Sequence, residues 1–219
     1  MRQRRLPESR APLRALALIV LGTAASAGAQ APVSESLSAM QLLGELRAGG
    51  CVLVMRHADA PFPAPDAREA EPDNPQRERQ LDAQGKAHAV ALGEALRALR
   101  VSIGPIYSSP AYRARETVRL SGVGTPILVD ALAEGAQGMA SGAEAARTRW
   151  LERAVDRSPA RGRNTLIVTH APNIAGAFGV AAAHIAPAEM LVFKPARRGR
   201  AHLLGRLTVA DWKALAGER

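Results

Sequence analysis

The stretch Cys51-Val52-Leu53-Val54-Met55-Arg56-His57-Ala58 decides the fold. Its first five residues are apolar and include two valines, a composition typical of a strand that is buried on both faces of a sheet. In an open parallel sheet, ligands bind in the crevice outside the carboxyl ends of the strands. Because Arg56 and His57 follow the apolar run directly, we expect them to line such a crevice.

Two later segments carry similar side chains to the same edge. The run Thr165-Leu166-Ile167-Val168-Thr169 has an apolar centre typical of a buried strand, and His170 follows it. The segment 106–117 passes from a strand end into a predicted helix that carries Arg113. Guanidinium groups bind phosphate oxygens in bidentate fashion, and an imidazole can attack phosphorus. Two histidines and at least two arginines at one edge therefore predict a phosphate site.

Together these motifs resemble those of the histidine phosphatase superfamily, the clan of phosphoglycerate mutases and acid phosphatases. The resemblance extends from roughly Gly50 to Lys194 and rests on Arg56-His57-Ala58, Ser108-Ser109-Pro110, Arg113, Glu116-Thr117 and His170. Ala58 departs from the family pattern, in which this position is usually glycine. Alanine would be strained there if the backbone required a positive φ.

The resemblance implies a role for four of these side chains. His57 is the nucleophile and forms a phosphohistidine that water later hydrolyses. Arg56, Arg113 and His170 clamp the phosphoryl oxygens and would stabilise the charge on the transferring group, usually the largest catalytic contribution. The residues alone leave simpler alternatives open, namely a core histidine at position 57 and a helix-surface arginine at position 113.

A phosphate ester also needs a general acid, because an alkoxide is a poor leaving group and its protonation contributes about 10²–10⁴-fold. Some branches of the superfamily place an aspartate directly after the second histidine, but this chain has Ala171 there. The mutase-like branch takes a glutamate from the segment between the arginine helix and the second histidine, which points to Glu134. The alternative for Glu134 is a loop carboxylate without a role. The competing candidates are Asp59, Asp66, Asp73 and Glu189.

Strands alternate with helices along the chain, which predicts a three-layer α/β/α sandwich with a mostly parallel central sheet. The superfamily resemblance implies the same phosphoglycerate mutase-like fold. A helix is predicted after the capping-box residue Ser38, and another over 82–99 with Val90 on its apolar side. Ser109-Pro110 is predicted to cap and begin the arginine helix. Residues 190–194 and 202–207 are predicted to form an edge hairpin.

Three further features have open or purely structural interpretations. The proline-rich segment 61–80 is either a lid or specificity loop, or a solvated excursion. The hydroxyls of Ser108 and Thr169 either orient neighbouring groups or make only local hydrogen bonds. Cys51 is the single cysteine, so no internal disulfide can form, and its place at the head of a buried strand favours an inert core thiol over a nucleophile.

Composition and charge restrict the function classes. A chain of 219 residues with 47% hydrophobic residues can bury one sizeable core, which predicts a single domain over 30–219. The first 29 residues hold five arginines and one glutamate, a net of +4, which leaves +5 of the total of +9 for the rest. No basic run is interleaved with aromatic residues, which argues against nucleic-acid binding. A mildly basic surface that attracts anionic substrates is the better interpretation.

Residues 1–29 have the form of a secretory signal that is cleaved. An arginine-rich start ends at Arg14, the apolar run 15–21 follows, and Ala25-Ser26-Ala27 and Ala27-Gly28-Ala29 are both A-x-A cleavage sites. The apolar run is too short to span a bilayer comfortably, although an uncleaved N-terminal anchor is the alternative. The predicted location is therefore the periplasm or outside the cell.

These observations predict an exported phosphatase that hydrolyses phosphomonoesters or phosphoanhydrides through a phosphohistidine on His57. The alternative is a catalytically weak or inactive module of the cell envelope that binds a phosphate ligand. No metal or cofactor is expected, since no His/Cys/Asp cluster has ligand spacing and the arginines supply the positive charge. The expected partner is a small phosphorylated substrate, without stable membrane insertion after signal cleavage. The substrate's identity and the oligomeric state are not determined by the sequence.

Overall fold

A central sheet positions every segment of the predicted site. We describe it from a computed structural model, within which residues 36–61, 78–134 and 142–217 are described. The sheet of this part of the chain has six strands, in the order β3-β2-β4-β1-β5-β6. The strands are β1 (Val52–Arg56), β2 (Ile103–Ser108), β3 (Ile127–Leu128), β4 (Asn164–Thr169), β5 (Met190–Lys194) and β6 (His202–Leu207).

The strand directions confirm the predicted mostly parallel sheet. Strands β3, β2, β4 and β1 are mutually parallel, and β5 pairs antiparallel with both β1 and β6. The β5–β6 pair is the predicted edge hairpin, with β6 at the end of the sheet. The carboxyl ends of β1, β2 and β4 therefore meet at one rim, where a ligand crevice is expected.

Helices cover both faces of the sheet, which confirms the three-layer architecture. They are α1 (Ala39–Ala48), α2 (Ala83–Ala98), α3 (Tyr112–Ser121), α4 (Ala143–Val155), α5 (Ala171–Phe178) and α6 (Val209–Gly217). Helices α1, α2, α3 and α6 contribute to one hydrophobic cluster, and α4 and α5 contribute to the other. None of the helices described is both long enough and apolar enough to span a bilayer.

Strand β1 divides these two clusters. Leu53 and Met55 belong to the first cluster, whereas Val52 and Val54 belong to the second, and all four are fully buried. Each such buried side chain stabilises the fold by about 1.5–3 kcal/mol relative to an exposed one. An apolar run without polar alternation is therefore explained by helices on both faces of the strand.

The predicted helix starts are correct in two cases and wrong in one. Ser38 forms the capping box with Gln41, and Asp82 accepts a hydrogen bond of 2.6 Å from the backbone N–H of Gly85. Helix α3 instead begins at Tyr112, after an Ala111 N-cap whose side chain makes no capping bond. The prediction of a Ser109 cap was wrong: the Ser109 hydroxyl accepts the N–H of Ala111 at 3.2 Å, before the helix, and lies 2.8 Å from Nε2 of His170.

Two smaller expectations also have definite outcomes. Val90 is 39% exposed, so its placement on the apolar side of α2 was wrong; Ala89 and Leu92 are buried there instead. Ala58 is not strained by the absence of glycine. The described non-glycine residues with positive φ are Arg100, His184 and Ala188, so the Ala58 backbone lies in a region that alanine adopts readily.

Several predictions fall on residues that are not described. The signal sequence 1–29, Asp66 and Asp73 lie outside the described ranges, as does most of the proline-rich segment. The described residues belong to one compact unit, and the predicted domain boundary after residue 29 stays a prediction.

Candidate active site

The register of β1 against β4 brings the two histidines together. Arg56 pairs with Thr169 in the parallel ladder, and the backbone N–H of His57 donates a 3.0 Å hydrogen bond to the Thr169 carbonyl. The residues that follow the two strands are therefore neighbours. The rings of His57 and His170 lie with their centroids 5.2 Å apart at an interplanar angle of 64°.

His57 has one ring nitrogen occupied and the other directed at an arginine. Its Nδ1 lies 2.7 Å from the Ala58 carbonyl oxygen, which only accepts, so Nδ1 carries the proton. The pKa of His57 is lowered to about 3, mainly by burial; the bond to Ala58 opposes this shift, and the positive charges of Arg113, Arg79 and Arg56 add to it. The ring is therefore neutral near pH 7, with a lone pair on Nε2.

Arg113 contacts both histidines and the predicted acid. Its Nε donates to Nε2 of His57 at 3.3 Å, and its Nη2 lies 3.0 Å from Nδ1 of His170. The same Nη2 donates to Oε2 of Glu134. Burial lowers the pKa of Arg113 and the Glu134 carboxylate raises it, and the guanidinium stays charged. Arg113 thus contacts three groups: the expected nucleophile His57, the second histidine His170 and the expected acid Glu134.

His170 is fully buried and held from both ring nitrogens. Nδ1 faces the Arg113 guanidinium, which only donates, so the proton is on Nε2 and is donated to Oγ of Ser109 at 2.8 Å. Burial and then the charge of Arg113 hold the pKa of His170 well below its usual value. Ser109 therefore fixes the ring orientation, a role that sequence reasoning missed.

Arg56 projects from the end of β1 and is anchored by Nη1, which donates to the Ile185 carbonyl at 2.9 Å. Its Nε is buried and has no hydrogen-bond acceptor among the described residues. The positive charge of Arg56 contributes to lowering the pKa of both histidines. Arg56 therefore belongs to the same charged cluster as Arg113.

Arg79 is a third arginine of this cluster, and sequence reasoning missed it. It is only 7% exposed, and its charge helps to lower the pKa of both His57 and His170. The segment that carries it is tied to the end of β1, because the backbone N–H of Asp82 donates to the Asp59 carbonyl at 3.2 Å. The sequence offered little to identify Arg79. It lies three residues before the Asp82 helix cap, in a segment that shows no periodicity.

Of the three candidate acids that are described, Glu134 alone lies in this cluster. Its Oε2 contacts Arg113 and lies 3.8 Å from Nδ1 of His170, and its side chain is 36% exposed. Asp59 instead pairs with His88 at 2.8 Å. Glu189 is buried, bound by Arg206 at 2.6 Å and by the backbone N–H of Ala186 at 2.7 Å. The geometry therefore favours Glu134 over Asp59 and Glu189.

The comparisons with known proteins agree with this arrangement. Residues 52–163 match the model of the histidine phosphatase superfamily (branch 1), about half of the chain. The chain belongs to the histidine phosphatase superfamily. The matched range includes His57, Arg113 and Glu134, whereas His170 lies beyond it and is placed by the sheet register. Among curated proteins, no sequence matches this histidine phosphatase significantly.

Solved structures share the fold at low sequence identity. A putative phosphohistidine phosphatase SixA from Agrobacterium tumefaciens has a TM-score of 0.51 and 17% identity, covering 73% of this chain and 97% of that one. A phosphoserine phosphatase mutant from Entamoeba histolytica has a TM-score of 0.51 and 12% identity, covering 74% and 98%. Bacillus stearothermophilus YhfR has a TM-score of 0.53 and 17% identity, covering 73% and 98%. These likenesses establish the fold.

Of the remaining motif residues, Thr117 connects two segments of the site. Thr117 accepts the backbone N–H of Ala58 at 3.1 Å and donates to the Arg113 carbonyl at 2.7 Å, which joins α3 to the end of β1. Glu116 binds Arg119, one turn later on α3, through two bonds of 2.7 Å. The Ser108 hydroxyl makes only a local bond, to the Ser109 carbonyl at 3.0 Å.

Two other chemistries are not supported within the described residues. No group of three or more His, Cys, Asp or Glu side chains there could hold a metal ion. Cys51 is buried at the opposite end of β1 from His57, and burial raises the pKa of its thiol, so a reactive thiolate is disfavoured.

Proposed function

We propose that this histidine phosphatase hydrolyses phosphomonoesters or phosphoanhydrides through a phosphohistidine on His57. The observation that carries the proposal is the neutral Nε2 of His57, buried beside Arg113 and His170 with the Glu134 carboxylate in the same cluster. A neutral imidazole is the nucleophilic form, and it is held here in one tautomer by the bond to Ala58.

The proposed reaction has two steps. In the first, Nε2 of His57 attacks phosphorus, the bond to the leaving oxygen breaks, and Glu134 gives that oxygen a proton. In the second, water attacks the phosphohistidine, Glu134 takes a proton from the water, and the neutral imidazole leaves with phosphate released. Arginine N–H groups stabilise the charge on the phosphoryl oxygens in both steps.

Substrate binding would change the contacts of Glu134. In the structure the Glu134 carboxylate binds the Arg113 guanidinium, the group proposed to bind phosphate. An entering phosphoryl group takes over that guanidinium and places a second anion beside the carboxylate. Two neighbouring anions favour protonation of one of them, and a protonated Glu134 is the form that can act as the acid.

The charges of the cluster fit a dianion. Arg56, Arg79 and Arg113 supply three positive charges, both histidines are neutral, and the carboxylates of Glu134 and Glu78 act on Arg113. A phosphoryl group that replaces Glu134 on Arg113 therefore lies among three arginines, which suits a phosphomonoester dianion better than a singly charged diester. This supports a monoesterase over a diesterase.

The test is a panel of phosphate esters offered to the purified mature protein. The panel includes N-phosphohistidine, O-phosphoserine, a sugar phosphate and pyrophosphate, because the superfamily neighbours include phosphohistidine and phosphoserine phosphatases. A labelled substrate should leave an acid-labile, base-stable adduct, and His57→Ala should abolish both the adduct and turnover. Binding of phosphate without turnover of any ester would favour the alternative, a phosphate-binding module of the cell envelope.

We also propose that the protein is exported, on the basis of the arginine-rich start, the short apolar run and the A-x-A sites of residues 1–29. The mature N-terminus is expected near residues 28–32, in the periplasm or outside the cell. N-terminal sequencing of the protein from its native host tests this, and an intact Met1 on cytosolic protein would contradict it.

A further inference from the structure

Glu134 follows a turn whose backbone forms no hydrogen bonds with the backbone of the described strands. The backbone N–H of Val129 donates to the Ser108 carbonyl at 3.0 Å, which is the last backbone bond from this segment to the sheet. A 3₁₀ turn over Asp130–Leu132 follows, closed by internal bonds from the N–H groups of Leu132 and Ala133 at 2.9 and 3.0 Å. These bonds shape the turn, but they do not attach its far end to the sheet.

Two buried side chains make that attachment. Oγ1 of Thr169 donates to the Leu132 carbonyl at 2.8 Å. Nδ2 of Asn173 lies 3.0 Å from the Leu132 carbonyl oxygen, 2.9 Å from that of Ala133, and 3.0 Å from Oγ1 of Thr169. The two carbonyls that precede Glu134 are therefore both held by donors from another part of the chain.

The same short segment also carries the second histidine. Thr169 ends β4, His170 follows it, and Asn173 lies in the first turn of α5. The positions of His170 and of the turn before Glu134 are thus set by one piece of backbone. With the N–H groups and carbonyls of Leu132 and Ala133 all hydrogen-bonded, this turn has little freedom to move the Glu134 carboxylate.

We infer that Asn173 is a positioning residue for the general acid, which it holds, with Thr169, within reach of the leaving oxygen. The inference rests on the proposed function, because it assigns Asn173 to the proton-transfer step of that reaction. An amide is suited to this role, since its NH₂ group donates to more than one carbonyl. An alanine side chain donates to none of these carbonyls. An aspartate would place carboxylate oxygens, which only accept, against the carbonyl oxygens of Leu132 and Ala133.

A purely structural asparagine would behave differently from a positioning one. Loss of a structural residue lowers stability and affects all substrates alike. Loss of a positioning residue affects most the substrates whose leaving group needs a proton. The parameter to compare is kcat/KM, because it reports the steps up to departure of the leaving group and excludes hydrolysis of the phosphohistidine.

The experiment compares an alkyl phosphate with para-nitrophenyl phosphate in wild type, Asn173→Ala, Glu134→Gln and the double variant. Asn173→Ala is expected to lower kcat/KM for the alkyl phosphate by about ten- to a hundredfold, part of the roughly 10²–10⁴-fold that a general acid supplies. The loss with para-nitrophenyl phosphate should stay within about threefold, since its phenolate leaves without help. Vanadate affinity should be unchanged, and the double variant should be no slower than Glu134→Gln.

Thr169→Val is the second variant, because valine keeps the shape of threonine and removes the hydroxyl that donates to Leu132. It should show the same substrate contrast with a smaller loss, and it keeps the inference testable if Asn173→Ala does not fold. Equal losses on both substrates, or additive losses in the double variant, would overturn the role of Asn173. Absence of turnover and of a His57 adduct in the wild type would instead overturn the proposed function itself.

Discussion

Nε of Arg113 donates a hydrogen bond of 3.3 Å to Nε2 of His57, the nitrogen proposed to attack phosphorus. The guanidinium therefore covers the lone pair of this nitrogen. A phosphoryl group that takes over this N–H uncovers the lone pair and gains a charged donor at the same time. Binding of the anion and exposure of the nucleophile are thus coupled through one side chain.

Arg113→Ala is predicted to retain the fold and to lose most of its affinity for vanadate or phosphate. A hydrogen bond to a charged group contributes about 1.5–3 kcal/mol, so the Kd should rise at least about tenfold. Arg113→Lys should restore little of the lost affinity, because an ammonium group lacks the planar guanidinium fork that contacts three groups here. Titration calorimetry measures the affinity. Arg119→Ala, on the same helix but with a 67% exposed side chain, is the matched control. Equal vanadate affinities of the two variants would refute the role of Arg113 in phosphate binding.

Acid should destabilise the fold through the buried histidines. The pKa of His57 is lowered from 6.5 to about 3, so between these values the unfolded chain binds a proton that the folded chain does not. The free energy of unfolding is therefore at its plateau above pH 6.5 and falls as the pH drops, by about 1.4 kcal/mol per pH unit for this group. The lowered pKa of His170 acts in the same direction.

Urea unfolding at pH 7.5 and pH 5.5 measures this dependence. His57→Gln should show a shallower loss of stability toward acid than the wild type, because its unfolded state no longer gains that proton. The control is His202→Gln, since His202 is exposed on the edge strand β6. A pH dependence unchanged by His57→Gln would show that other groups govern the acid limb.

The sequence was sufficient to predict the sheet and the convergence of its strand ends. The apolar runs before Arg56 and before His170 identify two buried parallel strands, and parallel strands end at the same rim. The presence of Arg113 on a helix after β2 follows from the same reasoning, although the helix begins at Tyr112 and Arg113 is its second residue rather than one turn in. Periodicity and strand length carry this information because they depend on which faces of an element are buried.

The side-chain partners at the rim could not be predicted in the same way. Ser109 has the composition of a helix cap, yet it binds His170, which is 61 positions away along the chain. Asn173 contacts carbonyls 40 and 41 positions earlier, and nothing in its own sequence surroundings indicates them. Arg79 lies in a segment without periodicity. These contacts depend on how separate elements pack against each other, which local propensity does not encode.

Arg79→Gln is predicted to weaken the preference for dianions. Loss of one positive charge from the cluster should lower kcat/KM for a phosphomonoester by about tenfold or more, in line with about 1.5–3 kcal/mol for a charged contact. Activity on a singly charged diester should fall less. Because the Arg79 charge helps to lower the pKa of His57, the variant should also raise that pKa, which NMR titration of the ring measures.

The matched control for Arg79 is Arg161→Gln. Arg161 is exposed just before β4 begins, at the opposite end of the strand from the site. The substitution therefore removes the same charge without changing the cluster. Equal effects of the two variants on monoester and diester would mean that Arg79 acts only through the overall charge of the protein.

Glu134→Gln is predicted to separate proton donation from anion binding. Glutamine keeps the shape of glutamate but cannot supply an acidic proton, so kcat/KM for an alkyl phosphate should fall by about 10²–10⁴-fold and that for para-nitrophenyl phosphate much less. Vanadate affinity should stay the same or increase, because the carboxylate no longer competes with the anion for the Arg113 guanidinium. Loss of turnover together with equal or tighter binding is not expected of a merely structural carboxylate. Asp59→Asn and Glu189→Gln are the controls, and the same contrast in Asp59, Asp66, Asp73 or Glu189 variants but not in Glu134→Gln would assign the acid to that residue.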